Sequence, residues 1–513
     1  MLRRLMGMSE YSIPTLLAHL PESSDQATIV NPSTGKKIYD LPQLSVAQVA
    51  KAVADARLAQ PAWAKTSVKE RSQALFRLHD LILKNQDNLM DLLQLETGKA
   101  RSHAFEEIAG SLGSARYFAK VAPKTLKTQK TISGVPLLTQ SYVMYAPVGV
   151  VGVITPWNYP LALQMLDVLP AIVAGNTVIQ KADNQTALVS LYARKLAVEA
   201  GIPESAWTIV VGDGAIVGNA ITDSVDYVAF TGSTNTGRIV AERAAKRLIG
   251  CSLELGGKNP MIVLPGAKVG DAAEKAMGAA FGNSGQLCVA IERVYVPNIM
   301  KAAFEKELAE RVTSMAIGKS DDFSMDMGTL TGINQLNRVQ DFVSDAVGKG
   351  AKVLAGAKAL PEFGPYYYAP TVLTDITEEM RLARQEVFGP LIAVIGYDNI
   401  DQAVELANDT EFGLNASVVG PTKLAKEVAG RIMAGTVNVN EGFRASMASL
   451  DSPMGGMKQS GVGRRNGQYG ILRFTEARTV GVSTGFLKFP SRAKQYNAMA
   501  PLMNALAKVM KKL

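Results

Sequence analysis

Between Val148 and Gly250, short apolar runs alternate with helix-length stretches, and no other feature limits the fold of this chain so tightly. Val150-Val151-Gly152-Val153-Ile154, Thr208-Ile209-Val210-Val211 and Val225 to Phe230 have the length and β-branched content of buried strands. Leu188 to Ala200 and Thr236 to Leu248 have the length and spacing of helices. Buried strands joined through helices pair in parallel, so the rhythm predicts an α/β fold with a doubly wound parallel sheet. A second α/β region is expected from Glu254 to about Gly470, and 513 residues leave room for two or three such units. Residues 45–121 read as long amphipathic helices: Leu75, Leu78, Leu81, Ile82 and Leu89 fall near helical spacing, and Gly98 is a stop signal. Residues 125–145, polar and β-branched around Gly134-Val135-Pro136, read as a hairpin insertion, with Val480 to Leu487 as a candidate partner strand.

Charge separates the body from its tail. The formal charge is +8, and residues 485–513 supply +6 of it through Lys488, Arg492, Lys494, Lys508, Lys511 and Lys512, with no acid. The nearly neutral body argues against nucleic acid as a partner. In the tail, Leu502, Met503, Leu506, Val509, Met510 and Leu513 form an apolar stripe at helical spacing. The stripe suits packing on the body or on a partner subunit; a peripheral contact with an anionic membrane is the other reading. Two cysteines, Cys251 and Cys288, make no disulfide framework. The N-terminus has basic residues but no apolar run behind them, and the longest apolar stretch, Ala146 to Trp157, is too short to span a bilayer. The expected location is the cytoplasm.

Four segments carry the chemistry. Cys288 follows the polar turn Gly282-Asn283-Ser284-Gly285-Gln286, whose amides can stabilise a thiolate or an oxyanion. A lone cysteine is more often an inert apolar residue, and that reading stays open on this segment alone. Glu254 is flanked by Leu253 and Leu255; burial would lift its pKa toward that of a general base, and the bland alternative is an ion pair with Lys258. Thr155-Pro156-Trp157-Asn158-Tyr159-Pro160 follows a strand at its carboxyl end, where Asn158 can offer an amide N–H to an oxyanion or form a plain turn. Phe230-Thr231-Gly232-Ser233 closes a strand and opens a helix, a place for phosphate, although the spacing is not a dinucleotide fingerprint. The three histidines, His19, His79 and His103, lie in the N-terminal part, away from these motifs, and no metal site is expected.

In order and spacing these segments, with Lys181, Glu386-x-Phe388-Gly389-Pro390, Pro453-x-Gly455-Gly456 and Phe474-Thr475-Glu476, resemble the aldehyde dehydrogenase superfamily over about residues 30 to 485. The resemblance implies a Rossmann-type cofactor domain (31–124 and 147–254), an α/β catalytic domain (255–470) and a small β oligomerisation domain (125–146 and 471–487). An N-terminal arm (1–30) and the basic tail (488–513) flank them. It implies that Cys288 is the nucleophile, that Glu254 activates the deacylating water, and that Asn158 and the Cys288 N–H form the oxyanion hole. It implies a cofactor site of Trp157, Asn158, Lys181, Asp183, Asn184, Gly232, Ser233, Leu255, Glu386 and Phe388. It implies homodimers or homotetramers. Glu254 speaks against the branch that acylates coenzyme A. The runs Ile291-Glu292-Arg293-Val294-Tyr295-Val296 and Asn438-Val439-Asn440-Glu441-Gly442, with the basic tail, resemble bacterial NADP-preferring succinate-semialdehyde dehydrogenases. Another aliphatic or semialdehyde substrate is the alternative, and a catalytically silent member is a second.

Departures from the family pattern sharpen these expectations. Neutral Asn184 stands where a Glu would repel a 2′-phosphate, so NADP is expected to be preferred and NAD accepted. Ala290, two past Cys288, leaves no Cys-x-Cys pair, so no intramolecular disulfide switch is expected at this site. Arg444 is a candidate reader of a substrate carboxylate. Asp167 takes the place of a Lys nine residues after Asn158, so Asp167 and Glu476 are expected either to share a proton as a relay to Glu254, or to stay apart with Asp167 capping a helix or paired with a basic residue.

Overall fold

A computed structural model describes residues 12–135, 138–485 and 489–511. The helical N-terminal region forms where the leucine spacing puts it. Helices Val46–Lys65 and Val68–Lys84 both open with capping boxes, Ser45 with Gln48 and Ser67 with Glu70. Gly98, at φ 74°, ends helix Gln86–Thr97 in the left-handed conformation that glycine adopts without strain.

The strand–helix rhythm closes into a six-stranded sheet. From edge to edge it runs Gly461–Val462, Gly250–Glu254, Tyr227–Thr231, Val150–Ile154, Thr177–Lys181 and Trp207–Val210, and only the two-residue edge strand is antiparallel. Val150–Ile154 is buried at every residue, as a strand covered on both faces must be. The chain winds outward in both directions from the pair Val150–Ile154 and Tyr227–Thr231. The crevice beyond their carboxyl ends is the switch point of a doubly wound sheet. Both motif turns, Thr155–Pro160 and Thr231–Ser233, emerge there.

A seven-stranded sheet forms the second α/β region, in the order Lys352–Ala355, Thr371–Thr374, Leu391–Tyr397, Ile291–Pro297, Asn259–Val263, Asn415–Val419, Thr436–Val439. It is parallel except at the first edge pair. The Cys288 turn feeds directly into Ile291–Pro297, near the middle of this sheet.

Thr475–Ser483 pairs antiparallel with Thr139–Pro147, which also pairs with Gln129–Thr131. The partner strand thus starts five residues before the expected Val480, and Leu487 lies outside the described residues. Side chains of this small sheet are exposed or half-buried. The tail forms helix Ala493–Met510, with no buried residue among those described; Leu502 is 48% exposed. Leu513 lies outside the described residues. Among the described residues no helix is long and apolar enough to cross a membrane.

Candidate active site

Two cavities meet at one sulfur. A cavity of about 260 Å³ is walled by Trp157, Asn158, Gly232, Ser233, Glu254, Leu255, Cys288, Glu386 and Phe388, among others. A second, of about 380 Å³, is walled mainly by apolar residues. Cys288 and Glu254 are the residues common to both walls.

Local sequence explains how Cys288 is presented. Asn283, Ser284 and Gly285 take φ of 50°, 56° and 70°, a left-handed run that turns the chain sharply before the nucleophile. Gly285 is required, because a Cβ there would stand 2.1 Å from the Gly389 carbonyl oxygen. Side-chain amides hold the turn. Asn283 Nδ2 donates to the Asn158 carbonyl at 3.0 Å, and Asn259 Nδ2 donates to the Cys288 carbonyl at 2.8 Å. Burial pushes the Cys288 thiol up to about 12, and the Glu386 and Glu254 carboxyls add to the shift. The thiol therefore rests protonated.

Glu254 ends strand Gly250–Glu254, and both its carboxyl oxygens are buried with no hydrogen-bond partner among the described residues. Burial raises its pKa to about 7; Arg465 and Arg473 pull it back and Asp167 pushes it further. The ion pair with Lys258 does not form. Lys258 Nζ instead meets Glu292 at 2.6 Å, and Glu292 accepts from the Val387 and Phe388 N–H groups, fixing the loop that carries Glu386.

Asn158 is buried, and its side-chain amide donates to the Gln286 carbonyl at 3.0 Å. Its second N–H has no partner among the described residues and is available for an oxyanion. Lys99 Nζ donates to the Asn158 carbonyl at 2.7 Å, while Glu107 accepts from Leu161 N–H at 2.9 Å and Ala162 N–H at 3.1 Å, capping helix Pro160–Val173. His103 is the histidine nearest the Cys288 turn. Burial and the Lys99 and Arg444 cations drop its pKa to about 3, so it stays neutral.

On the cofactor side, Ser233 caps helix Thr234–Lys246 and leaves its N-terminus open to the smaller cavity. Gly256 has no room for a side chain: a Cβ would come 2.6 Å from a Glu386 carboxylate oxygen. Glu386 accepts the Gly257 N–H at 2.8 Å; burial and neighbouring Glu292 raise its pKa to about 7. Trp157 and Phe388 pack edge to face, 5.7 Å between centroids. Lys181, Asp183 and Asn184 do not line this cavity. Lys181 ends the strand next to Val150–Ile154, and Asp183 accepts the Gln185 N–H at 3.0 Å. Asn184 bridges Gln43 (3.0 Å) and the Gly212 N–H (2.9 Å).

Of the two expectations for Asp167, the structure shows the pairing with basic residues and not the relay with Glu476. Asp167 is fully buried between Arg465, whose Nε lies 2.9 Å from Oδ1, and Arg473. Burial alone would raise its pKa, but the two guanidiniums outweigh that and hold it below the usual aspartate value. Glu476 is exposed on strand Thr475–Ser483, opposite Ala146. Arg465, which also binds the Thr231 hydroxyl, is the residue that the sequence reading missed.

A model of the family described as "Aldehyde dehydrogenase family" matches residues 19–480. The chain belongs to the aldehyde dehydrogenase family. "Putative succinate-semialdehyde dehydrogenase, NADP(+), 2" of Mycobacterium tuberculosis is 47% identical over 460 residues, 90% of this chain and 89% of that protein. A protein of Mycolicibacterium smegmatis with the same name, unnumbered, is 46% identical over 481 residues, 93% of each. A crystal structure titled as an E. coli NADP dependent enzyme matches this aldehyde dehydrogenase with a TM-score of 0.86. Its identity is 32%, covering 90% of this chain and 95% of that one. Staphylococcus aureus betaine aldehyde dehydrogenase in complex with NAD+ matches at 0.87 and 29% identity, covering 92% and 95%. The expected fold class, with its two parallel-sheet regions and a small antiparallel sheet, is borne out.

Proposed function

We propose that this chain oxidises an aldehyde to its carboxylic acid through a thioester on Cys288, with NADP as the preferred acceptor and NAD accepted. The observation that carries the reading is the junction of two cavities at a thiol and an unpartnered carboxyl group. The Cys288 thiol gives its proton to solvent, and the sulfur adds to the carbonyl carbon. The resulting oxyanion takes the free Asn158 N–H and the Cys288 backbone N–H. A bound nicotinamide supplies the hydride acceptor that turns the adduct into a thioester. Glu254, its proton passed on to solvent, then takes one from the water that adds to the thioester, and collapse expels the Cys288 thiolate and frees the acid.

The residues present fit a dinucleotide: an open helix N-terminus at Gly232 and Ser233, a close approach at Leu255-Gly256, and the Glu386 carboxylate for a ribose. Trp157 and Phe388 would flank the nicotinamide end. Asp183 is committed to its own turn and Asn184 is neutral and committed. Lys181 carries no side-chain partner among the described residues, so its ammonium is the group open to a 2′-phosphate. Steady-state kinetics are expected to give at least tenfold higher kcat/KM with NADP than with NAD. A tenfold preference for NAD would sink the assignment.

Succinate semialdehyde, named for the mycobacterial relatives, is the carboxylated aldehyde carried over here as a substrate, in the cytoplasm. Arg444 borders the larger cavity but bonds Glu106 at 2.9 Å and stands 3.6 Å from Glu441, so little of its charge is left for a substrate carboxylate. The small exposed sheet is proposed as the joint of a homodimer or homotetramer. The tail helix, with no buried residue among those described and free of acids, is proposed to touch anionic bilayers. Co-sedimentation with phosphatidylserine vesicles at low salt, lost in high salt and absent after deletion of residues 489–513, is the expected result. No binding at low salt removes that contact.

A further inference from the structure

Two glycines in helix Arg101–Thr125 have no backbone reason to be there. Gly110 and Gly113 lie in its interior, neither has a positive φ, and a glycine in that setting weakens a helix relative to alanine. Both face the larger cavity, on the stripe that runs from Glu106 to Arg116, about 15 Å at 1.5 Å per residue. A Cβ at Gly113 would press on Leu450 Cδ1 at 3.1 Å, and one at Gly110 would reach Ala162 at 3.6 Å. The missing side chains are space in the cavity. Its volume of about 380 Å³ corresponds to on the order of ten groups the size of a water or a methylene.

The remaining walls are unsuited to a charge. Leu163, Leu166, Phe443, Met447 and Leu450 line them. Arg444 is paired with Glu106, and Arg465 shares Asp167 with Arg473 and also binds the Thr231 hydroxyl. Arg116 has no partner among the described residues, but it is exposed and already solvated, so a carboxylate gains little from it. The buried Tyr159 hydroxyl, unpartnered among the described residues, is one neutral donor and does not replace the hydration shell of an anion. A carboxylate drawn toward Cys288 would lose water without meeting a free buried cation, whereas every methylene would gain.

We propose that the preferred substrates are uncharged, straight-chain aldehydes of about eight carbons, bound along the Gly110–Gly113 face. The proposal rests on the aldehyde-oxidising reading above and narrows its substrate. The test is kcat/KM with NADP for butanal, hexanal, octanal and succinate semialdehyde. The expected increase is about fourfold per methylene, about two hundredfold from butanal to octanal, with succinate semialdehyde no better than butanal. Gly113→Leu, a good helix former that fills the face, is expected to lower the octanal-to-butanal ratio at least tenfold in a variant that melts like the parent. A flat chain-length series, succinate semialdehyde equal to or above octanal, or an unchanged ratio in folded Gly113→Leu would overturn the preference and leave the reaction standing. Failure to oxidise any aldehyde would overturn the reaction itself, and the preference with it.

Discussion

Glu254→Gln is expected to lower kcat by about 10³-fold while a single burst of reduced cofactor, close to one per active site, survives. A burst requires only that Cys288 add to the aldehyde and release hydride; turnover requires water to be deprotonated. The variant keeps the size of the group and removes the base. A second consequence follows from the pKa of about 7, raised by burial. The parent's kcat should climb with pH through about 7 and level off above 8, and this limb should be absent in the variant. The stability effect has the opposite sense. The folded pKa lies above the unfolded one, so both states are protonated at low pH and the folded state is penalised as pH rises from about 4.5 to about 7. By pH 8 the penalty is about 3 kcal/mol. Glu254→Gln should therefore melt higher than the parent at pH 8 and alike near pH 4.5. Quenched-flow and thermal melts check both; a variant with full kcat and no burst would refute the role.

The second large effect is on the frame behind that base. Asp167→Asn is expected to destabilise the fold by about 3–5 kcal/mol, because Arg465 and Arg473 would remain buried without their carboxylate. The Asp167 contribution has a pH window of its own. Its folded pKa is depressed, so the contribution is complete above about pH 4 and is lost only as pH falls through the lowered value. In the variant that still folds, the two freed guanidiniums and the lost carboxylate both act on Glu254 in the same direction. Its pKa falls, and the acid limb of kcat shifts to lower pH. Glu476→Gln, on the exposed strand, should change neither stability nor the pH profile. A relay would predict slowed deacylation in both variants. Denaturant titration and pH–rate profiles separate the two pictures.

What the sequence made legible was local. Val150–Ile154 was recognisable because five apolar residues between turns have few alternatives, and Cys288, Glu254 and Asn158 stood out because each ends a strand or a turn within its own short motif. The Asp167 network was not legible. Its partners lie 298 and 306 residues away, and no periodicity reports which arginine will cross that distance. The same holds for Arg444, whose neutralising partner Glu106 is 338 residues distant. Gly110 and Gly113 were visible as letters, but a glycine in a helix signals only a local weakness until the cavity beside it is known. The early start of strand Thr475–Ser483 was obscured because Glu476 and Arg478 are polar on an exposed sheet, where the alternation that betrays a half-buried strand is missing.

Those two glycines set a trap for anyone selecting a hardier enzyme. Replacing Gly110 by Ala meets only an ordinary van der Waals neighbour and should add about 0.5–1 kcal/mol to the helix, so a screen on melting temperature alone would keep it. The gain would come out of room for the substrate. Heat-challenge libraries scored with a short aldehyde would not register the loss, and those scored with a long one would. Drift under selection for robustness would therefore move this enzyme toward small aldehydes one methyl group at a time.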